Sequence, residues 1–388
     1  MFKRAAAQAA TRIRAPPCAR GFSVSALRLA NRAVVYSSPG DPTSVLSVLT
    51  YPDLPPPSPS SLNVRFICSP VNPADINVVE GIYPAKPVHT DELAQGHKLS
   101  DAVYLGGNEG LAEITEVGAG VEGFAKGDWV VMAGQQLGTW SSARSLKAAD
   151  VIKVSKTVSR VNGSTLTVNP PTAYNMLHDF VDLQEGDWVL QNGANSAVGQ
   201  MVIQIAAQRG FKTLNFVRNR EDLETLKTQL KTLGATEVFT YDDLKERSLR
   251  DRVKQLTSGK QIQLFLNCVG GDATTQMTKL LGADAHIVSY GAMSKRPLTL
   301  PTSLFIFKNL KSHGFWQTRW YAQKTRQERE ELMQKLVAMK LKEPEHEIVT
   351  IPAGDSDEQA TKRVRGIIES LAQGQYGKKV LLSIEQPT

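Results

Sequence analysis

Cysteine is scarce, with Cys18, Cys68 and Cys268 the only three in 388 residues. So few thiols argue against a disulfide framework and fit a reducing compartment. No Cys-x-x-Cys occurs, and the six histidines are scattered without a His-x-x-x-His or Cys-x-x-His pairing, so no metal site is expected. Long apolar runs are also missing. Nothing approaches the roughly eighteen consecutive apolar residues of a bilayer-spanning helix, so no transmembrane segment is expected. Acids are absent from the start of the chain, where Asp41 is the first.

What stands there instead is basic. Residues 1–29 carry Lys3, Arg4, Arg12, Arg14, Arg20 and Arg28, and these six cations account for all but one unit of the net charge of +7. The rest of the chain is nearly neutral, which weighs against a nucleic-acid partner despite a pI of about 9.2. A leader rich in Arg, Ala and Ser and free of acid reads as a mitochondrial transit peptide, placing the protein in the matrix. Arg20, Phe22 and Ser25 are spaced as in a matrix-processing site, and cleavage ten residues beyond Arg20 leaves Ala30 first. A disordered basic tail is the plainer alternative.

Two textures follow. From Ala33 to about Lys153, short apolar alternations at Ala33–Tyr36, Leu62–Ile67, Gly110–Val117 and Asp128–Ala133 are broken by Gly and Pro, predicting a small barrel-like β domain. Five prolines between Pro52 and Pro59 predict an extended surface connection. From Asp187 the pattern becomes strand–helix alternation. Strands are predicted at Trp188–Leu190, Thr213–Val217, Glu237–Tyr241, Ile262–Val269, His286–Tyr290 and Ser312–Trp316. Helices carry Val198, Met201, Val202, Ile205 and Ala206 on one face, or span Glu221–Leu233. Such alternation makes the fold class α/β, with a doubly wound parallel sheet. Leu332, Met333, Leu336 and Val337 form a further helical stripe, and Lys379–Ile384 a last strand of the first domain's character.

The first strand of that series runs into Asn192-Gly193-Ala194-Asn195-Ser196-Ala197-Val198-Gly199 and then a helix. Small residues there let backbone amides and a helix N-terminus approach a pyrophosphate, although a merely structural turn would look similar. After the second strand the chain reads Arg218-Asn219-Arg220, where an NAD enzyme usually places an acid. Forked guanidinium groups suit a 2′-phosphate, so the expected cofactor is NADPH. Glu221 and Asp222 offer those arginines another partner at a solvated helix start.

Asn72-Pro73-Ala74-Asp75-Ile76-Asn77 through Gly81-Ile82-Tyr83-Pro84 brings the resemblance into view. With Gly107-Asn108-Glu109-Gly110, Val168–Tyr174, Asn192–Gly199, Arg218–Arg220, Tyr290–Met293 and Phe315-Trp316, it resembles the zinc-free medium-chain dehydrogenase/reductase superfamily, in its mitochondrial trans-2-enoyl-CoA reductase branch. The likeness spans nearly all of residues 33–388. It implies a GroES-like catalytic domain over 30–165 and 325–388 around a Rossmann domain over 166–324, and a homodimer formed through the Rossmann halves. It implies Tyr83 as the proton donor, which the chemistry accommodates. A phenol with an unperturbed pKa near about 10 holds its proton at neutral pH. It further implies cofactor contacts from Asn169, Asn195, Ser196, Ala197, Val198, Arg218, Asn219, Arg220, Tyr290, Gly291, Ala292, Met293, Phe315, Trp316, Gln317 and Lys378. Taken alone, Tyr83 could be a packing residue between Gly81 and Pro84, and Tyr290, Phe315 and Trp316 strand-end core aromatics. Two departures stand out: Ser196-Ala197 replaces paired glycines, and Gln317 replaces a more usual apolar residue.

The expected reaction is NADPH-dependent reduction of trans-2-enoyl thioesters of coenzyme A or acyl carrier protein. A quinone or small-enone reductase on the same scaffold is the nearest alternative. A non-catalytic NADPH- or nucleic-acid-binding protein is the alternative from another class.

Overall fold

The computed structural model describes residues 30–94, 97–373 and 378–387, so the basic leader lies outside the described residues. The first half holds two sheets. In the smaller, Ala30–Tyr36 pairs antiparallel with Ser47–Pro52 on one side and with His97–Leu105 on the other, and Thr90–Ala94 completes it.

The larger sheet centres on Ser61–Pro70. Ten extended residues reach about 33 Å, long enough to take different partners at its two ends. Leu62 faces Leu146 of Ala143–Lys147, while Pro70 faces Leu381 of Lys379–Ile384. Leu111–Val117, Trp129–Met132 and Val151–Val154 extend the sheet one way and His346–Ile351 the other. Sequence positions above 346 thus build the same sheet as positions near 61, the return anticipated for Lys379–Ile384.

A helix over Asp357–Ala372 seals the gap between the sheets. Its Ala360, Val364, Ile367 and Ile368 recur at helical spacing and bury against Val34, Tyr36, Leu46 and Trp140. Ser356 accepts from the Gln359 amide at 3.2 Å and Gln359 accepts from the Ser356 amide at 2.8 Å, a capping box that fixes its start.

The second half is a six-stranded parallel sheet. Its order is Glu237–Thr240, Lys212–Val217, Trp188–Asn192, Ile262–Asn267, His286–Ser289, Lys311–Gly314. That order reverses direction between Trp188–Asn192 and Ile262–Asn267, and the crevice beyond such a reversal is where doubly wound sheets take their ligands. Both sheet faces are covered, one by a core around Leu214, Phe216, Phe265 and Ile287, the other by one around Val189, Met201, Leu264 and Val288. Trp188–Asn192 is accordingly buried along its whole length. The two halves share a core as well, because Leu166 and Tyr321 lie in one cluster with Leu111, Val131, Ile152 and the Leu332, Met333 and Leu336 stripe of the Arg326–Ala338 helix.

The last predicted Rossmann strand, Ser312–Trp316, is displaced. The strand is Lys311–Gly314, which leaves Phe315 and Trp316 beyond its carboxyl end. Tyr290 likewise follows the end of His286–Ser289. Both aromatic segments thus stand just past the carboxyl ends of their strands, the end at which the crevice opens. No helix among the described residues is long and apolar enough to cross a membrane.

Candidate active site

The loop carrying Tyr83 hangs from a short helix, Pro73–Val79. Pro73 suits a first helical turn, and the Asp75 carboxylate accepts from the Asn72 amide at 2.8 Å. The helix stops at Gly81, whose φ of +78° is a left-handed conformation, and a β-carbon there would lie 2.8 Å from the Pro39 side chain. The amides of Ile82 and Tyr83 then fold back to donate to the Asn77 carbonyl at 3.0 and 3.1 Å. Tyr83 is therefore placed by helix geometry, and its side chain crosses to the second half of the molecule.

There Trp316 Nε1 donates to the Tyr83 hydroxyl oxygen at 2.7 Å, with the rings edge to face at 5.9 Å. An indole N–H only donates, so the phenol oxygen is the acceptor and its own hydrogen remains to be given elsewhere. Burial raises the Tyr83 pKa above the usual phenol value, Trp316 and Thr318 pull it back, and Asp75 adds to the rise. The group stays protonated at neutral pH, and the phenolate left by proton transfer has an indole N–H already aimed at it.

The small-residue turn matches what a pyrophosphate needs. Gly193 has φ +59° and a β-carbon would sit 2.6 Å from Cys268 Sγ. Gly199 has no such room either, since a β-carbon would meet the Ala194 backbone at 2.6 and 2.7 Å. Ser196 caps the Ala197–Gln208 helix by accepting from the Gly199 amide at 3.1 Å. The Ala197 and Val198 amides, in the first turn, have no acceptor within the helix and point toward an incoming anion. The Ser196-Ala197 departure is thus accommodated: the serine serves as cap, and the glycines that crowding demands are present.

Three buried polar atoms near the crevice lack hydrogen-bond partners: Asn169 Nδ2, Gln317 Nε2 and the Tyr290 hydroxyl. Gln317 Oε1 accepts from Asn175 at 3.2 Å, which fixes the amide and leaves Nε2 unpaired. The Tyr290 hydroxyl lies beside Cys268 and Ser196 without a well-formed bond to either. An unmet buried polar group is costly, and a polar ligand such as a nicotinamide carboxamide and its ribose would satisfy such groups. Gln317, noted as unusual, belongs to this set. Phe315 packs edge to face on Phe180 at 6.2 Å and is partly core, whereas Met293 is 62% exposed and Gly291 and Ala292 are exposed beside it. Asn195 lies on the turn itself, where its carbonyl accepts from Gln200 at 2.9 Å.

At the end of Lys212–Val217 the three residues expected at a 2′-phosphate differ in state. Arg220 is held by Asp222, with Nη2 to Oδ2 at 2.7 Å. Asn219 donates to Asp242 at 3.0 Å. Arg218 is exposed and has no hydrogen-bond or ion-pair partner among the described residues. Arg218 is therefore poised for an anion, while Arg220 has the acidic neighbour that the sequence left open.

Lys378 is exposed and its Nζ pairs with Glu347 at 2.9 Å. Consecutive residues of an extended chain point to opposite sides, and the one that turns inward is Lys379. Lys379 Nζ donates to the Val71 carbonyl at 3.3 Å and to Asn72 Oδ1, beside the buried carboxylates of Asp75 and Glu109. Sequence reasoning passed over Asp75, Glu109 and Lys379, although two acids within small and apolar motifs were a visible signal. Among the described residues no three His, Cys, Asp or Glu side chains group as a metal site would require.

A GroES-like β half, a Rossmann half with the crevice at its switch point, and a tyrosine reaching across define a medium-chain dehydrogenase/reductase. Family models agree: residues 58–158 match the alcohol dehydrogenase GroES-like domain, and 197–338 the zinc-binding dehydrogenase domain. The mitochondrial enoyl-[acyl-carrier-protein] reductase of Schizosaccharomyces pombe is 41% identical over 78% of this chain and 81% of its own length. The enzymes of that name from Yarrowia lipolytica and Homo sapiens are 43% and 40% identical, covering 74% and 78% of this chain and 74% and 77% of their own lengths. The Etr1p complex with NADP and crotonyl-CoA superposes with a TM-score of 0.84 at 32% identity, covering 92% of this chain and all of that one. The Etr1p/Etr2p heterodimer of Candida tropicalis, a mitochondrial 2-enoyl thioester reductase, gives 0.83 at 31% identity, covering 92% of this chain and 100% of that one. The chain belongs to the mitochondrial enoyl-[acyl-carrier-protein] reductases.

Proposed function

We infer that Tyr83 is the proton donor in the NADPH-dependent reduction of trans-2-enoyl thioesters. The observation that carries this is the Trp316 indole donating to the Tyr83 oxygen, which leaves the phenol hydrogen free at the meeting of the two halves. When bound, NADPH supplies a hydride to the β-carbon. The α-carbon takes its proton from Tyr83, and the product is the saturated thioester. Asn169, Gln317 and Tyr290 would hold the nicotinamide end, Ala197 and Val198 the pyrophosphate, and Arg218 the 2′-phosphate, with Arg220 joining once released from Asp222. Lys378 would complete the pocket once released from Glu347.

Tyr83→Phe should bind NADPH with parental affinity, read by nucleotide fluorescence, and lose on the order of 10² or more in turnover of trans-2-hexenoyl-CoA. Parental turnover would remove Tyr83 from the role.

The protein is mitochondrial, and we place it in the matrix on the strength of the basic, acid-free leader. Two copies of the chain would assemble through the Lys311–Gly314 edge strand and the neighbouring Thr302–Lys308 helix. Carrier protein would dock at the mouth, where Lys86 and Arg319 are exposed and Arg319 lies 6.0 Å from the Trp316 ring. Reversing both charges should slow the carrier-protein reaction at low salt and matter less at high salt.

A further inference from the structure

Glu109 is wholly buried and takes no part in the chemistry described above. Its carboxylate nevertheless bridges the two halves of the site. Oε1 accepts from Asn72 Nδ2 at 2.7 Å, and Oε2 accepts from the Thr167 hydroxyl at 3.3 Å. The Glu109 carbonyl accepts from Thr139 at 2.7 Å, which fixes the residue to its own loop. Asn72 starts the helix from which Tyr83 hangs. Thr167 stands two residues before Asn169, and its carbonyl accepts from the Tyr321 hydroxyl at 2.7 Å. Tyr321 lies on Gln317–Gln323, the helix that follows Trp316. One carboxylate thus links the helix carrying the acid to the segments carrying its indole partner and the nicotinamide end.

We propose that Glu109 is a positioning residue that sets Tyr83 against Trp316 and the bound cofactor, acting through Asn72 and the Pro73–Val79 helix. A seven-residue helix is a stiff lever, so slack at Asn72 reappears at Tyr83. Misplacing a catalytic group by an ångström costs up to about 10²-fold in rate. Burial alone would not select a carboxylate here. It raises the Glu109 pKa to about 7, and the nearby Lys379 and Asn72 work against that rise. A costly buried acid that joins segments from the two halves is what a positioning role requires.

The inference rests on Tyr83 as the proton donor, and a double-mutant cycle tests the two separately. Glu109→Ala should lower kcat for an enoyl-CoA about 10- to 50-fold, with the NADPH Kd changed less than about 3-fold. Glu109→Gln, which keeps an acceptor for Asn72, should recover to within about 3-fold of the parent. In a Tyr83→Phe background the Glu109→Ala loss should shrink below about 3-fold, since the group it positions is gone. Equal losses in both backgrounds, or an unchanged kcat, would overturn the proposal. Should Glu109→Ala fail to fold, Thr167→Val removes a single hydroxyl and enters the same cycle, with additivity again overturning it. Parental turnover in Tyr83→Phe alone reports instead on the donor, and it removes the route through which Glu109 would act.

Discussion

The Tyr83 oxygen accepts one hydrogen bond from an indole, and the consequences can be worked through at that single atom. Trp316 stabilises the phenolate more than the phenol, so it holds the pKa below where burial alone would put it. Trp316→Phe should therefore raise the Tyr83 pKa. The active form is protonated and activity falls as pH rises through that pKa, so the alkaline limb of the kcat profile should move to higher pH. The plateau should drop about 10-fold, the order that one lost donor to a developing anion costs or somewhat less. A lower plateau with an unmoved limb would mean that the indole only packs. At the 2′-phosphate, Arg218→Ala should raise the NADPH Kd about 10-fold or more and leave NADH unaffected, because only the phosphorylated ribose meets the guanidinium.

At the scale of elements, the turn after Trp188–Asn192 shows where glycine is needed. Gly199→Ala forces a methyl against the Ala194 backbone. It should cost about 1–3 kcal/mol of stability by chemical denaturation and weaken NADPH binding in parallel. The elements that proved legible were those with one clear period. Trp188–Asn192 and the Ala197–Gln208 helix stood out because a fully buried strand and a one-faced helix each leave a strong pattern. Asp357–Ala372 did not, since its buried stripe is interleaved with the charged Lys362, Arg363 and Arg365. The strands Thr90–Ala94 and His97–Leu105 carry Asp91, Glu92, Lys98 and Asp101 in a small sheet, where burial imposes little alternation. In the site, residues in motifs could be read because the motif fixes their place. The buried place of Lys379 could not, because its partners Val71 and Asn72 lie 308 and 307 residues away. Glu109 shows no role in the sequence because the partners it joins lie 37 and 58 residues away.

For the whole molecule, the buried charges set how stability responds to pH. Glu109 rises from an ordinary 4.5 to about 7 in the fold, with desolvation the largest cause, and Asp75 from 3.8 to about 6. An acid with a raised folded-state pKa binds more protons folded than unfolded across that window. Its contribution to stability is then fully present at the acid end and is lost as pH rises through the folded value. Lys379, between them, offsets part of this. Glu109→Gln should accordingly flatten the fall in melting temperature between pH 5 and 7, as followed by calorimetry. The proposed assembly makes its own prediction. Ile306 and Phe307 are 67% and 81% exposed beside an edge strand, an apolar surface that a second copy would cover. Ile306→Asp with Phe307→Asp should shift sedimentation from dimer to monomer.

The long central strand Ser61–Pro70 receives its last partner from Lys379–Ile384, with Pro70 facing Leu381 across more than three hundred residues of chain. A chain emerging from the N-terminal end must leave the Pro70 end of that strand open while the whole Rossmann half is made, and that half can fold from its own contiguous residues. Unpaired strand edges held open in this way invite other chains to pair with them. Damage to the final strand would then show first as low yield and inclusion of the protein in aggregates. Where the damage spares Lys379, the molecules that did complete the sheet would turn over at near-parental rates.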